Sequence, residues 1–228
     1  MANLRKQVLG RVSGALGDIV FRERDGKNVV SLRPSNFSTP QDPASIARRA
    51  RFLMAVKLCA SINSNPKLKS LWDPAVTPGL SVMNHLVKTN YVNVTPDDIN
   101  DPMQVVPTGG FGITATSVDK TAEQVLIDLQ AIGTTSGIDI AVEKKLQIQM
   151  ILFLKGPVIV ENTAPYSFIT LSSDVLSTSL TLPLTFTAPL MSNQGLLFNQ
   201  YQESKVFFSL ITMTDQLALI RHSATLNG

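Results

Sequence analysis

Cysteine is almost missing from this chain: Cys59 is the single one in 228 residues. That excludes an internal disulfide and every metal site built on several cysteines, and it fits folding in a reducing cytoplasm. Charge is sparse as well, at 16% against about 25% for an ordinary soluble domain. With 44% hydrophobic residues, some apolar surface is expected to be covered by neighbouring subunits. Long hydrophobic runs are lacking too. The longest, 148–154, is broken by Gln149 and ended by Lys155, far short of the roughly 18 residues a membrane helix needs. The first residues carry Arg5, Lys6 and Arg11 around a short apolar stretch, too short for a signal-peptide core, so secretion and membrane anchoring are not expected.

Catalytic signatures are scarce. There are two histidines, His85 and His222, and neither stands in a recognisable nucleophile context. No Gly-x-Ser-x-Gly elbow occurs, and Cys59 lies among helical apolar residues, where packing explains it better than nucleophilic chemistry. Glycines 10, 14 and 17 form neither Gly-x-Gly-x-x-Gly nor a Gly-Lys-Ser/Thr loop, so a phosphate cradle is not expected. Asp97, Asp98 and Asp101 lack the spacing, the glycine and the terminal glutamate of a calcium loop and read as a solvated turn. No catalytic residue, cofactor, metal or small-molecule substrate is assigned.

What is present begins with a charge asymmetry. Residues 1–60 hold 11 Lys/Arg against 4 Asp/Glu, leaving 9 against 13 for the remainder. Within that basic end, Asp25-Gly26 is a strong hairpin signal, because a type I′ turn needs positive φ at both central residues. The flanks 19–24 and 27–33 therefore read as antiparallel strands. An isolated hairpin is marginal in water, so this one must lie on a core or on another subunit. Next, Asp42 can cap and Pro43 can open a helix whose burial face carries Ile46, Ala50, Leu53, Met54, Leu58 and Ile62. Arg48, Arg49 and Arg51 flank it near its start, where the helix dipole disfavours cations and a carboxylate or other anion is wanted. Together Arg22, Arg24, Lys27, Arg33, Arg48, Arg49 and Arg51 are the candidate contacts for a subunit or partner. They also permit nonspecific phosphate contact with DNA, without any base-reading module.

Prolines at 66, 74, 78, 96, 102 and 107 limit the next stretch to short helices. One follows Asn65-Pro66 through Trp72, and another spans about 79–89 after Thr77-Pro78. From 110 onward, period-two runs rich in Val, Ile, Thr and Phe predict strands at 112–117, 124–131, 146–155, 166–171 and 179–184, then 204–212 paired with 216–223 across Thr214-Asp215. The fold class is thus mainly β with a few helices, an N-terminal β-hairpin and helices followed by a C-terminal antiparallel β-sandwich. Three parts are expected: a basic hairpin and helix at 1–63, Pro-rich short helices and a connection at 64–109, and the sandwich at 110–228.

The run 10–52 joins Ser-Gly-Ala-Leu-Gly-Asp-Ile-Val-Phe, Asp-Gly-Lys-Asn-Val-Val, Arg-Pro and Ala-Arg-Arg-Ala-Arg-Phe. It resembles a family of uncharacterised proteins of Bacteroidetes genomes and their phages, catalogued as a domain of unknown function. The likeness extends to Ser81-Val82-Met83-Asn84, to Pro107-Thr108-Gly109-Gly110, and to 207–210 through 223–228, whereas 157–187 has no counterpart in the family pattern. The shared motifs are turns and core positions, so the resemblance implies no catalytic residues. Residues and resemblance together lead to the expectation of a multi-copy virion component, such as a ring, collar, tail or capsid-associated subunit. Such a subunit is made in the host cytoplasm and joined to copies of itself and to other virion proteins. The alternative is a bacterial protein- or glycan-binding module using loops at one end of the sandwich. A hydrolase would need His85 or His222 beside an acid and a nucleophile.

Overall fold

The computed structural model of the chain describes residues 2–3, 13–24, 26–33, 38–161 and 163–228. Gly10, Asp25 and Pro34, which the sequence reading used, lie outside them, and Arg24 is described by its backbone alone. The chain divides into two compact units, Met1–Ser45 and Ile46–Gly228. The sequence reading drew its boundaries after 63 and 109 instead. The helices following residue 46 bury their apolar sides with the strands of the C-terminal half.

The N-terminal unit is a four-stranded antiparallel sheet in the order β1-β4-β3-β2, made of β1 (Ala2–Asn3), β2 (Gly14–Leu16), β3 (Ile19–Arg24) and β4 (Lys27–Leu32). The expected hairpin is there in its expected register, closing on the pair Arg24 and Lys27. Gly26 holds φ +72°, a left-handed value that glycine accepts without a Cβ clash.

Helix α1 (Pro43–Ser64) starts where the sequence placed it, with the Asp42 carboxylate accepting the Ser45 N–H at 2.9 Å. Met54, Leu58 and Ile62 are buried as expected, joined by Ala55 and Cys59. Ile46 and Leu53 are exposed, against expectation, because at about 3.6 residues per turn both point away from the side that carries Met54, Ala55, Leu58, Cys59 and Ile62. Helix α2 (Pro66–Trp72) is capped by Asn65, whose side-chain oxygen accepts the N–H groups of Lys67 and Leu68. Helix α3 (Val82–Asn90) starts later than the Thr77-Pro78 signal suggested. Its cap is Ser81, whose hydroxyl accepts the Asn84 N–H.

Nine further elements follow. They are β5 (Ala115–Lys120), β6 (Gln124–Leu129), β7 (Lys145–Pro157), β8 (Tyr166–Ser177), β9 (Leu184–Pro189), α4 (Ser192–Phe198), β10 (Tyr201–Met213), β11 (Leu219–His222) and β12 (Leu226–Asn227). Strands β11-β10-β7-β8 form one sheet, with β12 also on β10, and β5-β6-β9 form a second. The strand expected at 179–184 is in fact β9. Residues 179–183 are a loop in which Leu180 is buried and its carbonyl accepts the Gly133 N–H, whereas Leu184, Phe186 and Ala188 alternate inward. Helix α4 had no expectation. It is short and uncharged, and the Gln194 side chain accepts the Met191 N–H at its start.

Period two splits the residues of the large sheet between two cores. Leu146, Ile148, Met150 and Leu152 of β7, with Val206, Phe208 and Leu210 of β10, pack with Val125, Ile127, Leu129 and Phe186 of the small sheet, which makes the sandwich. Ile151, Phe153 and Phe207 pack instead with Met54, Leu58, Ile62, Leu68, Trp72 and Leu86 of the helices. Burial on both faces explains why 148–154 reads as an almost unbroken apolar run. Burying each such side chain is worth about 1.5–3 kcal/mol.

Candidate interaction surface

Cross-strand partners share a face of a sheet. In the N-terminal sheet the register pairs Arg22 with Val29, Arg24 with Lys27, and Val20 with Ser31. Two of the candidate basic residues, Arg22 and Lys27, therefore stand on one face. The opposite face is built of apolar rows. Leu16, Ile19 and Leu32 align across three strands, and Gly14, Phe21, Val30 and Ala2 align across four. Glu23 and Asn28 form a third row beside the turn.

That face is exposed at the end that carries Leu16, Ile19 and Leu32, and Asn28 in the row beside the turn is buried. Leu16 is 71% exposed, Leu32 76% and Ile19 38%, and Phe21 and Val30 are half-buried. Among the described residues of this unit no hydrophobic side chain is buried. The sequence carried the signal in its alternation. It was the register with the short strand β2 that extended the pattern into a face.

The remaining candidates separate. Arg33 follows β4, where its backbone N–H donates to the Asp18 carbonyl at 2.6 Å. Arg48 and Arg49 are exposed on the first turns of α1. Arg51 is committed within its own unit: it donates to the carbonyls of Tyr91 (3.1 Å) and Val92 (3.2 Å), and its guanidinium lies 4.5 Å from the Tyr91 ring centroid. It pins α1 to the turn at Tyr91–Asn93.

Among the three aspartates read as a solvated turn, Asp98 is a correction. Its two carboxylate oxygens accept from Lys155 and Lys205, each at 2.9 Å, and one also accepts the Ile99 N–H at 2.7 Å. Partial burial pushes the Asp98 carboxyl upward, but these hydrogen bonds outweigh it and bring the pKa down to about 2. Lys155 in turn also meets Glu203 at 3.1 Å. A second ion pair, Arg221 with Glu143 at 2.8 Å, holds β11 near the loop that precedes β7.

His85 packs its ring 5.8 Å from that of Trp72, with Nδ1 3.4 Å from the Thr77 hydroxyl. His222 sets Nδ1 3.0 Å from the Ser223 carbonyl. Burial pushes the Cys59 thiol up to about 12, against a smaller downward pull from Asn90. Among the described residues no group of three or more His, Cys, Asp or Glu is placed to hold a metal ion. A concavity of about 310 Å³ lies at the β7–β8 loop, lined by Val158, Ile159, Glu161, Thr163, Asn199 and Gln200. No described helix is long and apolar enough to cross a membrane. Comparison of the sequence with known protein families finds no match, and comparison with curated proteins finds none either.

Proposed function

We propose that this chain is a non-catalytic structural subunit of a phage virion, present in several copies and working by assembly with itself and with other virion proteins. The observation that supports assembly is the N-terminal sheet, which presents Leu16, Ile19 and Leu32 on an open face in a unit with no buried hydrophobic side chain among its described residues. Exposing such side chains forgoes about 1.5–3 kcal/mol each, and a small unit whose described hydrophobic side chains all remain at least partly exposed gains stability when a neighbour covers them. The basic reverse face, with Arg22 and Lys27 exposed, leaves a second surface for acidic partners. The phage setting rests on the resemblance carried by residues 10–52.

A binding module is the second reading, favoured by the apolar concavity at Val158 and Ile159, where Glu161 adds a carboxylate. Quantitative mass spectrometry of purified particles from a phage encoding this chain separates the two. A multi-copy stoichiometry fixed from particle to particle supports the virion subunit, and absence of the chain from the particles overturns it.

A further inference from the structure

We infer that the apolar face of the N-terminal sheet, formed by Leu16, Ile19, Phe21, Val30 and Leu32, packs against the same face of a second copy of this chain. The inference rests on the assembly reading and specifies its contact. Each sheet covers the exposed Leu16, Ile19 and Leu32 of the other. The two faces meet at the roughly 10 Å spacing of a sandwich and exclude water from both apolar ladders.

Charge placement favours a second copy. Arg22 and Lys27 stand on the reverse face by register, so bringing two apolar faces together does not oppose these bases of the two copies. Of the charged residues in β2, β3 and β4, Glu23 alone shares the apolar face, in the end row beside the turn. An acidic protein or a nucleic acid would be drawn to the reverse face instead, leaving the apolar ladder uncovered. The exposed apolar end of the face, at Leu16, Ile19 and Leu32, lies away from Glu23 and can meet its own copy across a two-fold axis.

Area sets the strength. The four strands hold 2, 3, 6 and 6 residues; spaced about 4.8 Å apart at about 3.4 Å per residue they present roughly 280 Å² on one face, or roughly 550 Å² for the pair. That is below the roughly 1,200–2,000 Å² of a stable interface. The contact is therefore reversible, a dimer that dissociates on dilution and is reinforced where an assembly raises the local concentration.

Sedimentation velocity of the full chain over a wide concentration range tests this. Two variants run beside it, Leu16→Ser with Leu32→Ser on the apolar face and Arg22→Ser with Lys27→Ser on the reverse face. Far-ultraviolet circular dichroism confirms that each variant stays folded. The wild-type chain is expected to shift from monomer to dimer as concentration rises. Added salt should not dissolve the dimer, because the contact is apolar. The leucine variant should weaken it at least ~tenfold, and the reverse-face variant should leave it intact. A dimer that survives in the leucine variant overturns the proposed face while leaving the assembly reading standing. A wild-type chain that stays monomeric throughout overturns the self-contact, and the copy number in particles then decides the assembly reading separately.

Discussion

Asp98 meets Lys205 at 2.9 Å and holds Lys155 at the same distance on its other oxygen. One carboxylate thus ties the loop after α3 to neighbouring positions on β7 and β10, at the end of the sheet where the helices pack.

The consequence for acid stability has a definite sign. The folded pKa of Asp98, about 2, lies below the unfolded value near ~3.9. Its contribution is therefore fully present above about pH 5 and is lost as pH falls toward 2. Asp98→Asn should lower unfolding stability by about 1–2 kcal/mol at neutral pH, after allowance for a side chain still 30% exposed. Urea titrations at neutral and at acid pH should show the gap between variant and wild type closing as the pH drops.

Beneath the helices lies a buried amide relay. Asn65 Nδ2 and the Ser172 hydroxyl both donate to Gln149 Oε1, at 2.7 and 2.6 Å, and Gln149 Nε2 donates to Gln147 Oε1 at 3.0 Å. Gln149→Leu keeps the volume but removes the acceptor for the buried Asn65 amide and for the partly exposed Ser172 hydroxyl. A loss of about 2–3 kcal/mol is expected in denaturant unfolding.

Gly110 has no room for a side chain. A Cβ there would clash with the Ser223 carbonyl carbon and lie 2.6 Å from the Ala224 nitrogen. The neighbouring Phe111 is bonded to the same segment through His222 and Ala224. Since only backbone can yield, Gly110→Ala is expected to cost about 2–4 kcal/mol, readable as a lowered thermal midpoint. Gly112→Ala, where nothing stands within 4 Å, is the matching control and should have little effect.

Cys59 is fully buried, and its pKa of about 12 leaves almost no thiolate at neutral pH. A thiol reagent should leave the native chain unmodified and label one cysteine promptly in denaturant. Rapid native labelling would contradict the packing of α1.

Much of this fold was legible because its signals are local. Asp25-Gly26 placed the hairpin, Asp42-Pro43 and Asn65-Pro66 placed two helix starts, and the apolar run at 148–154 marked the strand that is buried on both faces. Asp98 was misread because its partners lie 57 and 107 residues away, and nothing adjacent to it announces an ion pair. The exposure of Ile46 and Leu53 was equally hidden, since apolar residues are spread around α1 and periodicity alone does not say which side the core takes. The interaction surface was half legible. The bases of 22–27 stood out, while the apolar ladder needed the register with Gly14–Leu16 to become a face.

The most direct test of the central claim, that this chain assembles through its N-terminal unit, is the mass in solution by light scattering. The full chain is compared with one lacking residues 1–35, at low and moderate salt. Species heavier than the single chain of 24.7 kDa should appear for the full chain as concentration rises and vanish on truncation. Equal oligomers with and without the N-terminal residues, or a monomer in both, would contradict the account.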